Sequence, residues 1–353
     1  MQKESFGFLK ELMDSISPSG FEEEAMKIWK QRTKNFVDKV KTDVHGNSIG
    51  IINESGAPKV MLAGHIDEIG YMVRYINDEG YIYFSTIGGI DLHLVPGERV
   101  WIKTKKGKVL GVMGKKPIHL MEAEERKKVA KIEQLWIDIG VKDGKEAKSI
   151  VSTGDPAVPA VGFEVLNADN VIGRGFDDKA GAFVVSETLR LVSQNKPKAS
   201  VYGVATVQEE IGLRGATTSA YGISPDVGIA IDVAFATDFP DIEKKKIGEI
   251  KIGGGPVIAR GPNINPKIFD LLVKTAEKEK IPYQTEGLPR GTGTDANVIQ
   301  LTKAGVATGL IGIPNRYMHT PVELVNLKDL ENASKLIAAF ILRLDKKSKF
   351  IPY

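Results

Sequence analysis

Histidines and carboxylates stand directly after several apolar runs of this sequence, and these residue types can bind metal ions or move protons. Five such segments can be recognised, and their candidate residues are His65 with Asp67, Asp177 with Asp178, Glu209 with Glu210, Asp232, and His319. The apolar runs are typical of buried strands, and the carboxyl ends of parallel strands form the ligand crevice of an open sheet. We therefore expect these side chains to meet at one edge of a sheet.

The donor set favours a centre of two divalent ions. Imidazole and carboxylate groups are the ligands that zinc, cobalt and manganese prefer. Two histidines and several carboxylates exceed the needs of one tetrahedral ion, and they suit two ions about 3.5–4 Å apart that share a bridging carboxylate. His65 and Asp67 are two residues apart, so in an extended chain they point the same way. Asp67 is then expected to hold the distal imidazole nitrogen of His65.

Each segment also has a structural interpretation when it is taken alone. Asp177-Asp178 could simply begin a helix, where the dipole favours carboxylates, and Glu209-Glu210 could be a solvated turn. The convergence of five segments on one edge favours the functional interpretation. The other three histidines lack such company and are predicted to be structural. The Gly-rich run 291–295 has no nucleotide-binding spacing, but it precedes a predicted helix and could line a pocket.

Strands alternate with helices in both terminal parts of the chain, which indicates an α/β fold with a mostly parallel central sheet flanked by helices. From Tyr71 to about Phe163, short β-patterned runs are instead separated by Gly, Asp and Lys turns. We therefore predict a catalytic domain formed by 1–70 and 164–353, interrupted by a β-rich insert over 71–163. Ser19, with Glu22 three residues later, predicts a capping box that opens a second helix extending to about Asn35.

Composition excludes several classes of protein. The 353 residues include no Cys, which excludes disulfides, thiolate zinc sites and cysteine nucleophiles. Lys and Arg number 48 against 45 Asp and Glu, and the resulting charge of +3 is too small to indicate a nucleic-acid partner. Without a signal peptide or an apolar run of membrane-spanning length, a cytoplasmic protein with no membrane partner is expected. Seven Gln among abundant Lys and Glu are typical of a thermophile.

The motifs and their order resemble those of the TET-type metallo-aminopeptidases. This is metallopeptidase family forty-two, whose relatives include glutamyl, leucyl and deblocking enzymes and some proteins labelled endoglucanase. The resemblance runs nearly end to end and rests on 17–22, 64–67, 176–179, 207–216, 231–233, 293–296 and 316–319. It implies a dinuclear zinc or cobalt aminopeptidase that removes N-terminal residues from short peptides. It also implies that the insert is a PDZ-like dimerisation domain and that dimers assemble into a tetrahedral dodecamer.

The resemblance further implies a role for each candidate residue. One ion would be held by His65, Asp177 and Asp232, and the other by Asp177, Glu210 and His319. Glu209 would be the general base, taking a proton from the attacking water and giving it to the leaving amine. Asp67 is counted with it among the catalytic residues, and Asp295 is assigned to substrate binding. A cis peptide between Asp177 and Asp178 is expected, and Lys179 replaces an Arg of the family, which should alter only a salt bridge.

Other functions stay open on the sequence alone. A glycosidase would use two carboxylates roughly 5–9 Å apart, but it would need neither His65 nor His319. A binding module derived from a peptidase would be expected to have lost ligands, and none is missing from the pattern. The same metal centre could also serve a carboxypeptidase or an amide deacylase. The preferred N-terminal residue and the choice between zinc and cobalt are not fixed by the sequence.

Overall fold

The structure is a computed structural model, and it describes residues 1–352. Over this range the helices are α1 (Lys3–Asp14), α2 (Glu23–Thr33), α3 (Gly144–Ile150), α4 (Phe176–Ser193), α5 (Arg214–Ile223), α6 (Lys244–Ile247), α7 (Pro266–Glu279), α8 (Ala296–Ile299) and α9 (Leu327–Leu342). The strands are β1 (Lys39–Thr42), β2 (Ser48–Ile52), β3 (Lys59–His65), β4 (Gly70–Ile76), β5 (Ile82–Ile87), β6 (Arg99–Thr104), β7 (Gly107–Gly114), β8 (Trp136–Asp138), β9 (Pro156–Pro159), β10 (Glu164–Asn167), β11 (Asn170–Gly173), β12 (Ser200–Thr206), β13 (Val227–Phe235), β14 (Val257–Arg260), β15 (Gln284–Gly287), β16 (Ala307–Asn315) and β17 (Glu323–Asn326).

Eight strands form the central sheet, in the order β1-β2-β12-β3-β13-β16-β14-β15. The four middle strands, β12, β3, β13 and β16, are parallel to one another. They read as continuous apolar runs because both of their faces are buried, and β12 has no exposed residue. Antiparallel pairs occur outside them, between β1 and β2, β2 and β12, and β14 and β16. The predicted α/β fold with a mostly parallel central sheet is thereby confirmed.

Helices cover both faces of this sheet. On one face, α1, α2, α4, α7 and α9 bury a core that contains Trp29, Phe183 and Phe340. On the other face, α5 and α8 pack over alternate residues of the same strands. The start of α4 lies directly against the end of β3, because a Cβ on Gly64 would overlap the backbone of Gly181. This close approach places the first residues of α4, Asp177 and Asp178 among them, beside His65.

A second body of β structure separates β3 from the rest of the catalytic sheet. Strands β4 to β9 close into a six-stranded barrel in the order β4-β5-β8-β7-β6-β9. The barrel has its own apolar core, which includes Tyr71, Ile102 and Ile137. A separate three-stranded sheet, β10-β11-β17, follows the barrel and leads into α4. The β-rich insert expected from the sequence is therefore present as a closed barrel.

The predicted capping box at the start of α2 is wrong. The helix begins at Glu23, and no side chain caps its first turn. The Ser19 hydroxyl instead donates a 2.6 Å hydrogen bond to Asp67 Oδ2, and Glu22 Oε1 accepts from the backbone N–H of Gly20 and of Gln208. A distant buried carboxylate therefore competes successfully with the local helix end for the serine. Within residues 1–352, none of the helices combines the length and the apolar character that crossing a bilayer requires.

Candidate metal centre

The structure brings all five predicted segments to the carboxyl edge of the central sheet. His65 is the last residue of β3, and Asp232 lies near the end of β13. The Glu209-Glu210 pair follows β12, and His319 lies in the loop that follows β16. Asp177 is the second residue of α4, in a first turn where its own and the next residue's backbone angles are not helical. The order of parallel strands thus gathers residues that are up to 254 positions apart in the sequence.

The Asp177 carboxylate lies between the two imidazoles. Its Oδ1 is 3.1 Å from His65 Nε2, and its Oδ2 is 3.1 Å from His319 Nε2. Burial alone would raise the pKa of Asp177, but hydrogen bonds from His319 and His65 hold it below its usual value. The peptide bond between Asp177 and Asp178 is cis, as the resemblance predicts. One carboxylate with an imidazole on each side has the arrangement that a bridging ligand needs.

Glu209 and Glu210 both reach this centre, but from different sides. Glu209 Oε2 lies 3.7 Å from His65 Nε2, whereas Glu210 Oε1 lies 3.5 Å from His319 Nε2. Neither residue belongs to a strand, because β12 ends at Thr206 and Gln208 adopts a left-handed conformation with φ of 56°. The alternation of extended chain therefore does not apply here, and both side chains face inward.

Asp232 and Asp178 complete the cluster. His65, Asp178 and Asp232 offer ligand atoms within 4.8 Å of one another, and so do His65, Asp177 and Glu210. Both oxygens of Asp178 are already used, because they accept hydrogen bonds from the backbone N–H groups of His65 and Gly181. Asp178 thus ties the start of α4 to β3. Asp232 accepts the Val233 N–H with Oδ1, and this bond leaves its other oxygen free.

The charges of this cluster fit a divalent metal centre. Burial and the nearby charge of Asp177 raise the pKa of Asp232 well above its usual value, and burial raises that of Glu209 to about 10 against the opposing effect of His65. Glu210 Oε1 is buried without a well-formed hydrogen bond among the described residues. The nearby carboxylates of Asp177 and Glu210 raise the pKa of His319 to about 11. Buried carboxylates in excess of nearby positive charges favour the binding of cations, and the donor atoms suit zinc or cobalt.

Asp67 lies behind the centre and is fully buried. The backbone oxygen of Asp67 is 3.1 Å from His65 Nδ1, closer than the 3.4 Å to its own carboxylate Oδ1. The carboxylate instead accepts the backbone N–H groups of Glu209, at 3.0 Å, and of Glu210, at 3.2 Å. The main chain of Asp67 therefore orients the imidazole, while its side chain supports the loop that carries both glutamates.

Glu323, at the start of β17, was not among the residues singled out from the sequence. Its carboxylate is 2% exposed and accepts two backbone hydrogen bonds, from Asp177 N–H at 3.0 Å and from His319 N–H at 2.9 Å. Two ligand-bearing segments are thus joined through one side chain. The only signal in the sequence is an acidic residue four positions after His319, which is too weak a pattern to stand out.

His319 also depends on the barrel. Its Nδ1 lies 2.8 Å from the carbonyl oxygen of Gly89, in the loop that follows β5. His319 and Tyr317 both have positive φ, 60° and 63°, so this loop holds its residues in a conformation that side chains rarely adopt. A carbonyl acceptor on the distal nitrogen fixes the ring orientation and leaves Nε2 toward Asp177.

Two further residues are buried close to the centre. Asp295 is 2% exposed, and its Oδ2 accepts a 2.6 Å hydrogen bond from the hydroxyl of Thr206, the last residue of β12. Lys179 is fully buried and donates to Glu68 Oε1 at 2.8 Å, and Arg174 Nε lies 3.4 Å from the other Glu68 oxygen. Lys179 therefore belongs to a buried ionic network behind the site.

Known proteins are similar to this chain in sequence and in fold. The family model described as M42 glutamyl aminopeptidase matches residues 46–336. The lysyl aminopeptidase of Pyrococcus furiosus is 38% identical over 347 residues, which cover 98% of each chain.

Two solved structures extend the similarity to the backbone. The TET aminopeptidase from a marine sediment archaeon of the Thaumarchaeota has a TM-score of 0.93 at 38% identity, covering 98% of this chain and 97% of its own. The Pyrococcus horikoshii TET1 peptidase, which can assemble into a tetrahedron or a large octahedral shell, has a TM-score of 0.86 at 33% identity, covering 96% of this chain and all of its own. Fold, site and sequence agree, and the chain belongs to the M42 glutamyl aminopeptidase family of peptide hydrolases.

Proposed function

We propose that this chain is a dinuclear-metal aminopeptidase that removes N-terminal residues from short peptides. The observation that carries the proposal is the Asp177 carboxylate, placed 3.1 Å from the Nε2 atoms of both His65 and His319. Zinc or cobalt would be held by His65, Asp177 and Asp232 on one side, and by Asp177, Glu210 and His319 on the other. The names of the relatives, lysyl aminopeptidase and TET aminopeptidase among them, support the N-terminal direction of cleavage.

When bound, two such ions lower the pKa of a water molecule and polarise the scissile carbonyl. The remaining chemistry is assigned to the chain itself. Glu209 takes the proton of the attacking water and returns it to the leaving amine. This role is assigned to Glu209 because its carboxylate lies beside the centre and accepts no hydrogen bond from a backbone N–H of the described residues. Without cations, burial raises the pKa of Glu209, and two cations beside it would favour the ionised form that a base needs.

Asp67 and Glu323 act as positioning residues in this mechanism. Asp67 fixes the two glutamates by accepting their backbone N–H groups, and Glu323 fixes Asp177 and His319 in the same way. Asp295 is proposed to act through Thr206 and the floor of the site, since its burial leaves it little direct contact with a substrate. The chain thus supplies a rigid frame, which preorganised catalysis requires.

The proposal extends to assembly and setting. The barrel is proposed to mediate dimerisation, with the bounds 71–163 predicted from the sequence, and the dimers to form a tetrahedral dodecamer. The assembling relative from Pyrococcus horikoshii supports this part of the proposal. A cytoplasmic, thermophilic enzyme acting on peptides, with neither nucleic acid nor membrane as partner, remains the prediction from composition.

A substrate panel tests the proposed activity. Chromogenic amides of single amino acids, short peptides with free N-termini, and a β-glucan would be offered with and without added zinc or cobalt. We expect metal-dependent release of N-terminal residues and no cleavage of the glucan. Release of C-terminal residues instead would indicate a carboxypeptidase, and hydrolysis of the glucan without metal would indicate a glycosidase.

A further inference from the structure

The segment 17–22, Ser-Pro-Ser-Gly-Phe-Glu, is left without a role by the mechanism above. Its three polar side chains are buried, Ser17 at 0%, Ser19 at 4% and Glu22 at 7% exposure, although the sequence suggests no more than a helix cap for Ser19 and Glu22. Neither caps α2. Ser19 instead donates to Asp67, and Glu22 accepts from Gln208, the residue before Glu209.

Three consecutive backbone N–H groups of that loop donate to carboxylates. Gln208 N–H donates to Glu22 Oε1 at 3.2 Å, Glu209 N–H to Asp67 Oδ1 at 3.0 Å, and Glu210 N–H to Asp67 Oδ2 at 3.2 Å. Ser19 completes the set, because its hydroxyl donates to Asp67 Oδ2 at 2.6 Å. The consecutive N–H groups of Gln208, Glu209 and Glu210 are therefore held by segment 17–22, either directly or through Asp67.

The segment is itself firmly docked. Pro18 forms a parallel bridge with Glu68, Ser19 N–H donates to the Glu68 carbonyl, and the Glu68 N–H donates to the Ser17 carbonyl. The turn it supports is strained, since Gln208 and Leu213 both have positive φ. A strained turn persists only where the surroundings enforce it, and here the buried carboxyl groups of Glu22 and Asp67 accept hydrogen bonds from three of its N–H groups.

We propose that segment 17–22 is a clamp that positions the Glu209-Glu210 turn, with Ser19 acting through Asp67 and Glu22 acting on Gln208. The expected effect of the clamp on catalysis rests on the proposed function, whereas its effect on the conformation of the turn does not. Ser19 and Glu22 are positioning residues, and neither is expected to touch the substrate or a metal ion. Losing either should loosen the turn while leaving the ligands His65, Asp177 and His319 in place.

Hydrogen–deuterium exchange of the intact chain tests the clamp without relying on activity. Ser19→Ala and Glu22→Ala should raise the exchange rate of fragments covering 207–213 by about fivefold or more, because protecting acceptors are lost or freed to move. Glu22→Gln keeps an acceptor oxygen and should retain most of the protection. The matched controls are Ser15→Ala, which removes a buried hydroxyl bonded only to the Leu12 carbonyl, and Glu23→Ala, which removes the exposed neighbour of Glu22.

Kinetics then tests the consequence. In Ser19→Ala and Glu22→Ala, kcat on a peptide substrate should fall about tenfold even in excess metal, with little change in KM, because a displaced base misaligns the reaction. Binding of the ion assigned to Glu210 should weaken as well, since Glu210 lies on the same turn. Unchanged exchange at 207–213 in both variants, or equal increases in the Ser15→Ala and Glu23→Ala controls, would overturn the clamp. If the parent protein hydrolyses no peptide, the proposed function fails, while the exchange result still decides whether the clamp exists.

Discussion

Glu323→Gln is the substitution whose effect follows most directly from the geometry of the centre. The glutamate accepts two backbone hydrogen bonds with its two carboxylate oxygens, from Asp177 and from His319. Glutamine keeps one acceptor oxygen and places its NH₂ group opposite the other backbone N–H. Because both of those groups are donors, one hydrogen bond is lost. Leaving a buried donor without its acceptor costs about 1–3 kcal/mol, equivalent to a factor of about 5 to 150 in an equilibrium constant.

The loss should appear as weaker metal binding, because both affected residues are candidate ligands. We expect the affinity for zinc to fall about 10- to 100-fold, as is typical when a residue supporting a ligand is changed. Competition against a chelator of known affinity measures this, and excess metal should restore part of the activity. Urea unfolding of the same samples separates metal affinity from stability.

Asp329→Asn is the matched control for this experiment. Asp329 is also fully buried, and its carboxylate also accepts two backbone hydrogen bonds, from Gly253 at 2.7 Å and Gly255 at 2.8 Å, but neither glycine is a candidate ligand. It should lose stability without losing metal affinity. A folded Glu323→Gln protein that binds zinc as tightly as the parent would refute the reasoning, since Glu323 would then be a structural residue only.

Three other predictions concern the base, the barrel and the assembly. Glu209→Gln should keep both metals and lower kcat by about 10²–10⁴, whereas Glu210→Gln should lower metal occupancy; kinetics with metal analysis decides this, and the opposite pattern would reverse the two roles. Burial raises the pKa of Glu98 from 4.5 to about 7. Its stabilising contribution is therefore full below pH about 4.5 and is lost as the pH rises through 7. Glu98→Gln should then reduce the fall in the free energy of unfolding between pH 5 and 8 by about 1–2 kcal/mol, after allowance for partial exposure. An unchanged pH dependence in urea titrations would contradict this. Light scattering at micromolar concentration should give a dodecamer, and a particle of 38.4 kDa would contradict the proposed assembly.

The convergence of the centre could be predicted from the sequence because it depends on topology. Once β3, β12, β13 and β16 are recognised as buried parallel strands, the residues that follow them must share one edge. The composition of the insert likewise predicts β structure, and the barrel confirms it. Both inferences use patterns, each of which is visible within one short stretch of the chain.

The supporting residues could not be predicted because their partners are distant. Ser19 and Glu22 match a local capping motif, yet the buried carboxylate of Asp67, 48 positions from Ser19, captures the serine instead. Glu323 gives no periodic signal, and its role appears only when β17 pairs with β11, the strand that leads to Asp177. The inward direction of both glutamates depends on the left-handed conformation of Gln208, which no propensity rule indicates for glutamine.

Metal titration of the chelated protein tests the central claim most directly. Protein stripped of metal would receive zinc or cobalt in measured steps, with bound metal determined by elemental analysis and activity determined on an amino-acid amide. The account predicts no activity in the stripped protein and a maximum when two ions are bound per chain. Full activity in protein shown to be free of metal would contradict it.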